Sequence, residues 1–97
     1  MRIIALSTLR AFWVKHPDVE KPLCAWYALA SRANWRAPSD IKETYRDARL
    51  TANNRVIFNV KGNDYRLVAA VRYYRGLMHV RFIGTHRQYD KIDVETI

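Results

Sequence analysis

The sequence predicts an α+β fold in which N-terminal helices pack on an antiparallel β-sheet that ends in a short C-terminal helix. Three observations point there. Apolar residues recur at helical spacing through the first third of the chain, the period changes to two from Val56, and turn residues divide the later segment into three strands. With 97 residues, 49% of them hydrophobic and only three Gly and three Pro, the chain is expected to fold as one domain over residues 1–97.

Each element has its own signal. Arg2-Ile3-Ile4 is short and β-branched and reads as a strand. Ser7 offers a cap to a helix on which Leu9, Phe12, Trp13 and His16 fall at helical spacing, and Pro17 stops it. A second helix is predicted from about Asp18 or Lys21 to Ala33, with Leu23, Trp26, Tyr27 and Ala30 on one stripe. Pro22 belongs in its first turn, since deeper in a helix it costs ~3 kcal/mol. In "WRAPSDIKETY", Asp40 and Glu43 stand three apart in the manner of a capping box and predict one or two helical turns. "RDARLTANNR" lacks a period and reads as a connection.

The strands are predicted at Val56–Val60, Tyr65–Tyr74 and Leu77–Gly84, joined by turns at Lys61-Gly62-Asn63-Asp64 and Arg75-Gly76. A loop centred on Gly62-Asn63 sets Phe58 opposite Leu67 and Val56 opposite Ala69. A two-residue loop at Arg75-Gly76 sets Tyr73 opposite Met78, Val71 opposite Val80 and Ala69 opposite Phe82, so that one face is apolar and awaits the helices. The other face then carries Asn59 beside Arg66, Arg72 beside His79, Arg81 beside Ala70 and Thr85 opposite Arg66, and its three arginines are expected to converge on a strand end with only Asp64 and Asp90 as nearby partners.

Charge is the chain's other strong signal. Seventeen Lys and Arg against nine Asp and Glu give a formal net charge of +8, and twelve of the seventeen are Arg, whose planar fork suits phosphate. From Val56 to Asp90 six cations face two Asp. A polyanion, with nucleic acid foremost, is the expected partner. The single Cys24 cannot form an internal disulfide and reads as a small buried hydrophobe. Arg10 and Lys15 break the apolar start, and no run reaches the ~20 residues of a membrane span, so a cytoplasmic protein without membrane insertion is expected. One Cys and three scattered His give no metal-ligand spacing, and "KGND" is a strand-to-strand turn rather than a phosphate cradle.

After the last strand, His86, Tyr89 and Asp90 stand at i, i+3 and i+4, with Thr85 as a possible cap, so one helical turn projects all three to the same side near Arg66. That set suits RNA cleavage by the strand's own 2′-hydroxyl. His86 is the acid or base, Arg66 stabilises the phosphorane, Tyr89 orients or stacks a base, and Asp90 holds the imidazole tautomer, with no metal or cofactor required. The plainer alternative is that His86 caps or packs, Tyr89 fills the core and Asp90 pairs with Arg87 or Lys91.

"FNVKGNDYRLVAAV", followed by "HVRFIGTHRQYDKID", resembles the signature of the HigB-type toxins, RelE-like messenger-RNA interferases of bacterial type II toxin-antitoxin modules. "WRAPSDIKETY" resembles the same family's tryptophan and Asp-Ile-Lys segment. The likeness covers about residues 35–93. It implies a RelE-like fold, ribonuclease activity on mRNA often expressed on the translating ribosome, and neutralisation by a HigA-type helix-turn-helix antitoxin, with operator DNA bound only through the complex. Asn59, Gly62, Asn63, Arg66, His86, Tyr89 and Asp90 fall on the motif. Two readings follow. In one, the chain is an RNA endonuclease with Arg66, His86, Tyr89 and Asp90 at the scissile phosphate, and with Asn59, Lys61, Asn63, Arg72, Arg81 and Arg87 holding RNA. In the other, the same basic face serves a non-catalytic RNA- or ribosome-binding module.

Overall fold

The computed structural model describes all 97 residues. In chain order the elements are β1 (Arg2–Ile4), α1 (Leu6–Lys15), a 3₁₀ turn (Pro17–Val19), α2 (Glu20–Arg32) and α3 (Pro38–Thr44). These are followed by β2 (Arg49–Leu50), β3 (Arg55–Val60), β4 (Tyr65–Arg72), a second 3₁₀ turn (Tyr73–Arg75), β5 (Leu77–Thr85) and α4 (His86–Tyr89). The five strands form one sheet in the order β1-β5-β4-β3-β2, antiparallel except where β1 runs alongside β5. The expected α+β architecture is therefore present, and Arg49–Leu50, expected to be connection, adds an edge strand.

Two helix starts differ from expectation. Ser7 is not a cap, because α1 already begins at Leu6 behind Ala5. At α3 the carboxylate that matters is Asp40, whose Oδ2 accepts from the backbone N–H groups of Arg36 (2.8 Å) and Ala37 (3.2 Å); Glu43 takes no part. Pro22 does sit in the first turn of α2. Cys24 is exposed rather than buried, because it lies off the stripe formed by Leu23, Trp26 and Ala30.

The core lies between that stripe and one face of the sheet. Leu9, Leu23, Ala30 and Ile41 are wholly buried against Phe58, Leu67, Ala69, Val71 and Met78. Phe58 is its aromatic hub, with Trp26 at 5.3 Å, Tyr45 at 5.3 Å and Trp35 at 6.4 Å between ring centroids. The Gly62-Asn63 register is as expected, with Phe58 opposite Leu67 and Asn59 opposite Arg66.

The β4–β5 register is not. Tyr73–Arg75 curls into a 3₁₀ turn closed by Gly76 at φ 62°, so the loop is longer than two residues. Val71 then faces Met78, Ala69 faces Val80, Ala70 faces His79 and Arg72 faces Leu77. A bulge follows, for the ladder steps from Ala69–Val80 to Val68–Phe82 and leaves Arg81 without a partner. One inserted residue exchanges the faces of everything beyond it. Phe82 leaves the helix side and joins Ile57 and Val68 on the far side, while Gly84, not Thr85, comes opposite Arg66.

At the other side of the Gly62 turn, Lys61 Nζ donates to Asp18 Oδ2 at 2.8 Å and the Tyr65 hydroxyl donates to the same carboxylate. The Lys61 hydrogen bond first, and the Tyr65 one second, hold the Asp18 carboxyl below its ordinary 3.8, while that same bond from Asp18 raises Lys61 above 10.5. A depressed carboxyl stabilises the fold above its unfolded value and loses that contribution as pH falls through the folded one. A raised amine contributes fully below its unfolded value and loses it as pH rises through the folded one. Melting curves should therefore show parent and Asp18→Asn differing most in mid-range and converging below pH 3.8 and above pH 10.5. Phe58→Ala should cost about 3–5 kcal/mol in denaturant unfolding, as expected for removing a packed core ring.

Candidate active site

The second residue of β4, Arg66, is only 9% exposed, and it is the one charged side chain in the buried set. Its guanidinium folds back over the turn that precedes it. Nη1 donates to the carbonyls of Asn63 (3.0 Å) and Tyr65 (3.3 Å), and Nη2 donates to Asn63 Oδ1 (3.3 Å). All three acceptors are neutral. The chain's two ion pairs, Lys61–Asp18 and His86–Asp90, both exclude it. A secluded cation held only by neutral oxygens keeps its whole charge for an incoming anion.

Below the guanidinium lies the Tyr89 ring, 5.9 Å from Cζ to centroid, and beyond it Phe82 at 6.4 Å. The bulge brings Phe82 here, next to the buried side chains of Ile57 and Val68. Gly84 makes the arrangement possible. A Cβ at that position would lie 2.5 Å from Phe82 Cζ and 2.8 Å from Gln88 Oε1.

α4 is a single turn and depends on its start. Thr85 Oγ1 accepts from the Gln88 N–H (3.2 Å), and Gln88 Oε1 accepts from the Thr85 N–H (2.8 Å), a reciprocal cap. The His86 N–H donates to the carbonyl of Asp64 at 3.1 Å, which ties this turn to the β3–β4 loop beside Arg66. On its outer side His86 Nδ1 meets Asp90 Oδ2 at 3.2 Å, one helical turn on, with both side chains about half exposed. That contact assigns the proton of a neutral imidazole to Nδ1 and leaves the Nε2 lone pair for a substrate.

Arg66, His86, Tyr89 and Asp90 thus occupy one corner, where the Arg66 guanidinium lies over Tyr89 in the same turn that carries the His86–Asp90 pair. Asn59 stands beside Arg66 in the ladder and donates from Nδ2 to Asp47 Oδ2 at 3.1 Å; Asn63 cradles the guanidinium. Arg87 is exposed on α4, and Arg81 is exposed at the bulge. Lys61 is brought instead to Asp18. Arg72 ends β4, six residues from Arg66, so roughly 20 Å separates them along the strand and the three arginines of this face do not converge.

Sequence reasoning passed over four residues here: Gly84, Phe82, Gln88 and Asp64. Gln88 had a signal, being three residues after Thr85 as the reciprocal cap requires. The roles of Gly84 and Phe82 follow from the bulge, and Asp64 acts through its backbone, which no side-chain pattern marks. No group of three or more His, Cys, Asp and Glu side chains gathers as metal ligands would, and no helix is long and apolar enough to cross a membrane.

A family profile described as HigB_toxin, the RelE-like toxic component of a toxin-antitoxin system, matches residues 19–92. The chain is also 26% identical to the mRNA interferase toxin HigB of Escherichia coli (strain K12) over 92 residues, covering 93% of this chain and 88% of that protein. The mRNA interferase HigB proteins of Escherichia coli O157:H7 and Shigella flexneri match to the same extent. The profile takes in the three central strands, the Arg66 cradle and the whole α4 turn, and the chain belongs to the HigB toxin family, the RelE-like toxic components of toxin-antitoxin systems.

Proposed function

We propose that this chain is an mRNA endonuclease that cuts by attack of the ribose 2′-hydroxyl, using side chains and no metal. The observation that carries this reading is the buried Arg66, which meets no carboxylate and lies over Tyr89 beside the His86–Asp90 pair. The names of the relatives, mRNA interferases, support the same substrate.

In this mechanism the 2′-oxygen bonds to phosphorus, the P–O5′ bond breaks, and the products carry a 2′,3′-cyclic phosphate and a 5′-hydroxyl. The 2′ proton leaves to a base, and the departing 5′-oxygen takes one from an acid. His86 Nε2 performs one of these transfers, with Asp90 holding Nδ1. Arg66 swings its free donors onto the non-bridging oxygens as charge accumulates, and Tyr89 presents its ring to the Arg66 guanidinium and to an adjoining base. Asn59, Asn63, Arg81 and Arg87 border the strand's path. We place the reaction in the cytoplasm, on mRNA engaged by the ribosome. A HigA-type helix-turn-helix antitoxin neutralises the protein, and operator DNA is met only through that complex.

Single-turnover cleavage of labelled RNA provides the test. Arg66→Ala should slow the reaction by about 10²–10³-fold, the loss typical of one anion-stabilising donor, and His86→Ala by about 10²–10⁴-fold. Both rates should be unchanged by EDTA. A folded His86→Ala protein that cuts at the parental rate would refute the assignment, whereas one that binds RNA as before, beside a parent that never cuts, would make the chain a binding module. In cells, Arg66→Ala should relieve the growth arrest that overexpression of the parent causes.

A further inference from the structure

The largest hollow on the molecule, about 580 Å³, lies at the end of the sheet away from the candidate active site. It is an open groove where the end of β4 meets the 3₁₀ turn and the segment before α3, and its lining includes Asn34, Arg36, Asn54, Arg72, Tyr73 and Tyr74. No acidic side chain lines it. The guanidiniums of Arg36 and Arg72 enter no ion pair. Burial, joined by the charge of Asp40, raises the Tyr73 pKa, and Asp40 accepts from the backbone N–H groups of Arg36 and Ala37 at the start of α3.

Tyr74 is the most exposed large hydrophobic side chain of the molecule, at 80%, and Arg75 Cζ lies 5.7 Å from its ring centroid. An exposed aromatic ring beside guanidinium groups is a platform on which a nucleic-acid base can stack. A second hollow of about 220 Å³ shares Asn54, Val71 and Arg72 with the first and reaches Ala70, on the face of β4 that also carries Arg66. The hollow thus extends from the Arg72 end onto the face of β4 that carries Arg66, and stops at Ala70, four residues short of it.

We propose that this groove is a second RNA subsite, which takes a segment of single-stranded RNA several nucleotides from the scissile phosphate, one base on Tyr74 and the backbone between Arg36 and Arg72. The chemistry fits a nucleic acid strand better than an acidic protein segment, because a carboxylate would use the cations without stacking on the exposed Tyr74 ring. Asn34 and Asn54 add amides that can meet base edges. The inference rests on the endonuclease reading only for the identity of the strand.

The experiment measures binding of 2′-O-methyl oligoadenylate, which lacks the attacking hydroxyl, so its outcome does not depend on whether His86 transfers a proton. Strands of about 16 and about 4 nucleotides are compared, the span of lengths that small single-strand-binding folds accommodate. Arg36→Ser/Tyr74→Ala should weaken the long strand by about tenfold or more, the loss of one stacked base and one phosphate contact. Its log-log salt slope should fall by about 0.7. Binding of the short strand, and cleavage of a short substrate by the same variant, should match the parent. Equal losses for both lengths, or an unchanged long-strand affinity, would overturn the subsite. So would a variant that loses polyglutamate but keeps the long RNA, since that would give the groove to an acidic protein segment.

Discussion

A guanidinium withdrawn from water and given only amide and carbonyl oxygens is the constraint around which this molecule is arranged. Burying a charge costs several kcal/mol unless partners offset it, and a carboxylate beside Arg66 would offset it most simply. None is there. The cradle of Asn63 and Tyr65 oxygens with the Tyr89 face holds the cation in place without neutralising it. Such a group remains open to an anion, and the half-exposed His86–Asp90 pair stands in the helical turn that carries Tyr89.

What builds that corner is the bulge in β5. With unbroken alternation Phe82 would enter the helix-side core and the Arg66 face would lose its aromatic floor. The extra residue at Arg81 turns Phe82 and Gly84 to the Arg66 side, and the missing Cβ at Gly84 admits both the Phe82 ring and the Gln88 amide. A reciprocal Thr85–Gln88 cap then fixes a helix too short to persist by itself, and the Asp64 carbonyl anchors its first residue. The geometry of this corner depends on a strand irregularity and one glycine as much as on the polar side chains that meet there.

Much of this was legible in the sequence because it is written in local periods. The amphipathic stripes of α1 and α2, the three long strands, the Phe58–Leu67 register and the i, i+3, i+4 spacing of His86, Tyr89 and Asp90 all depend on neighbours within a few residues. The β4–β5 pairing was not, since Arg75-Gly76 looks like a two-residue turn and the 3₁₀ turn at Tyr73–Arg75 lengthens it. Nothing in the pattern around Arg81 announces a bulge. The same blindness gathered Arg66, Arg72 and Arg81 at one place, although strand rise alone keeps the first two far apart, and it counted Lys61 as free although Asp18, 43 positions earlier, takes its ammonium. Long-range charge pairing is settled by tertiary packing, which single-sequence periodicity does not contain.

The central claim is that one phosphodiester touches both Arg66 and His86. A structure of the protein with a 2′-O-methyl RNA strand tests it most directly. The account predicts a phosphate oxygen hydrogen-bonded to the Arg66 guanidinium, with the adjoining 2′- or 5′-oxygen within hydrogen-bond reach of His86 Nε2 and Asp90 still on Nδ1. An RNA strand bound elsewhere, with Arg66 still folded onto Asn63 and no phosphate near His86, would contradict it.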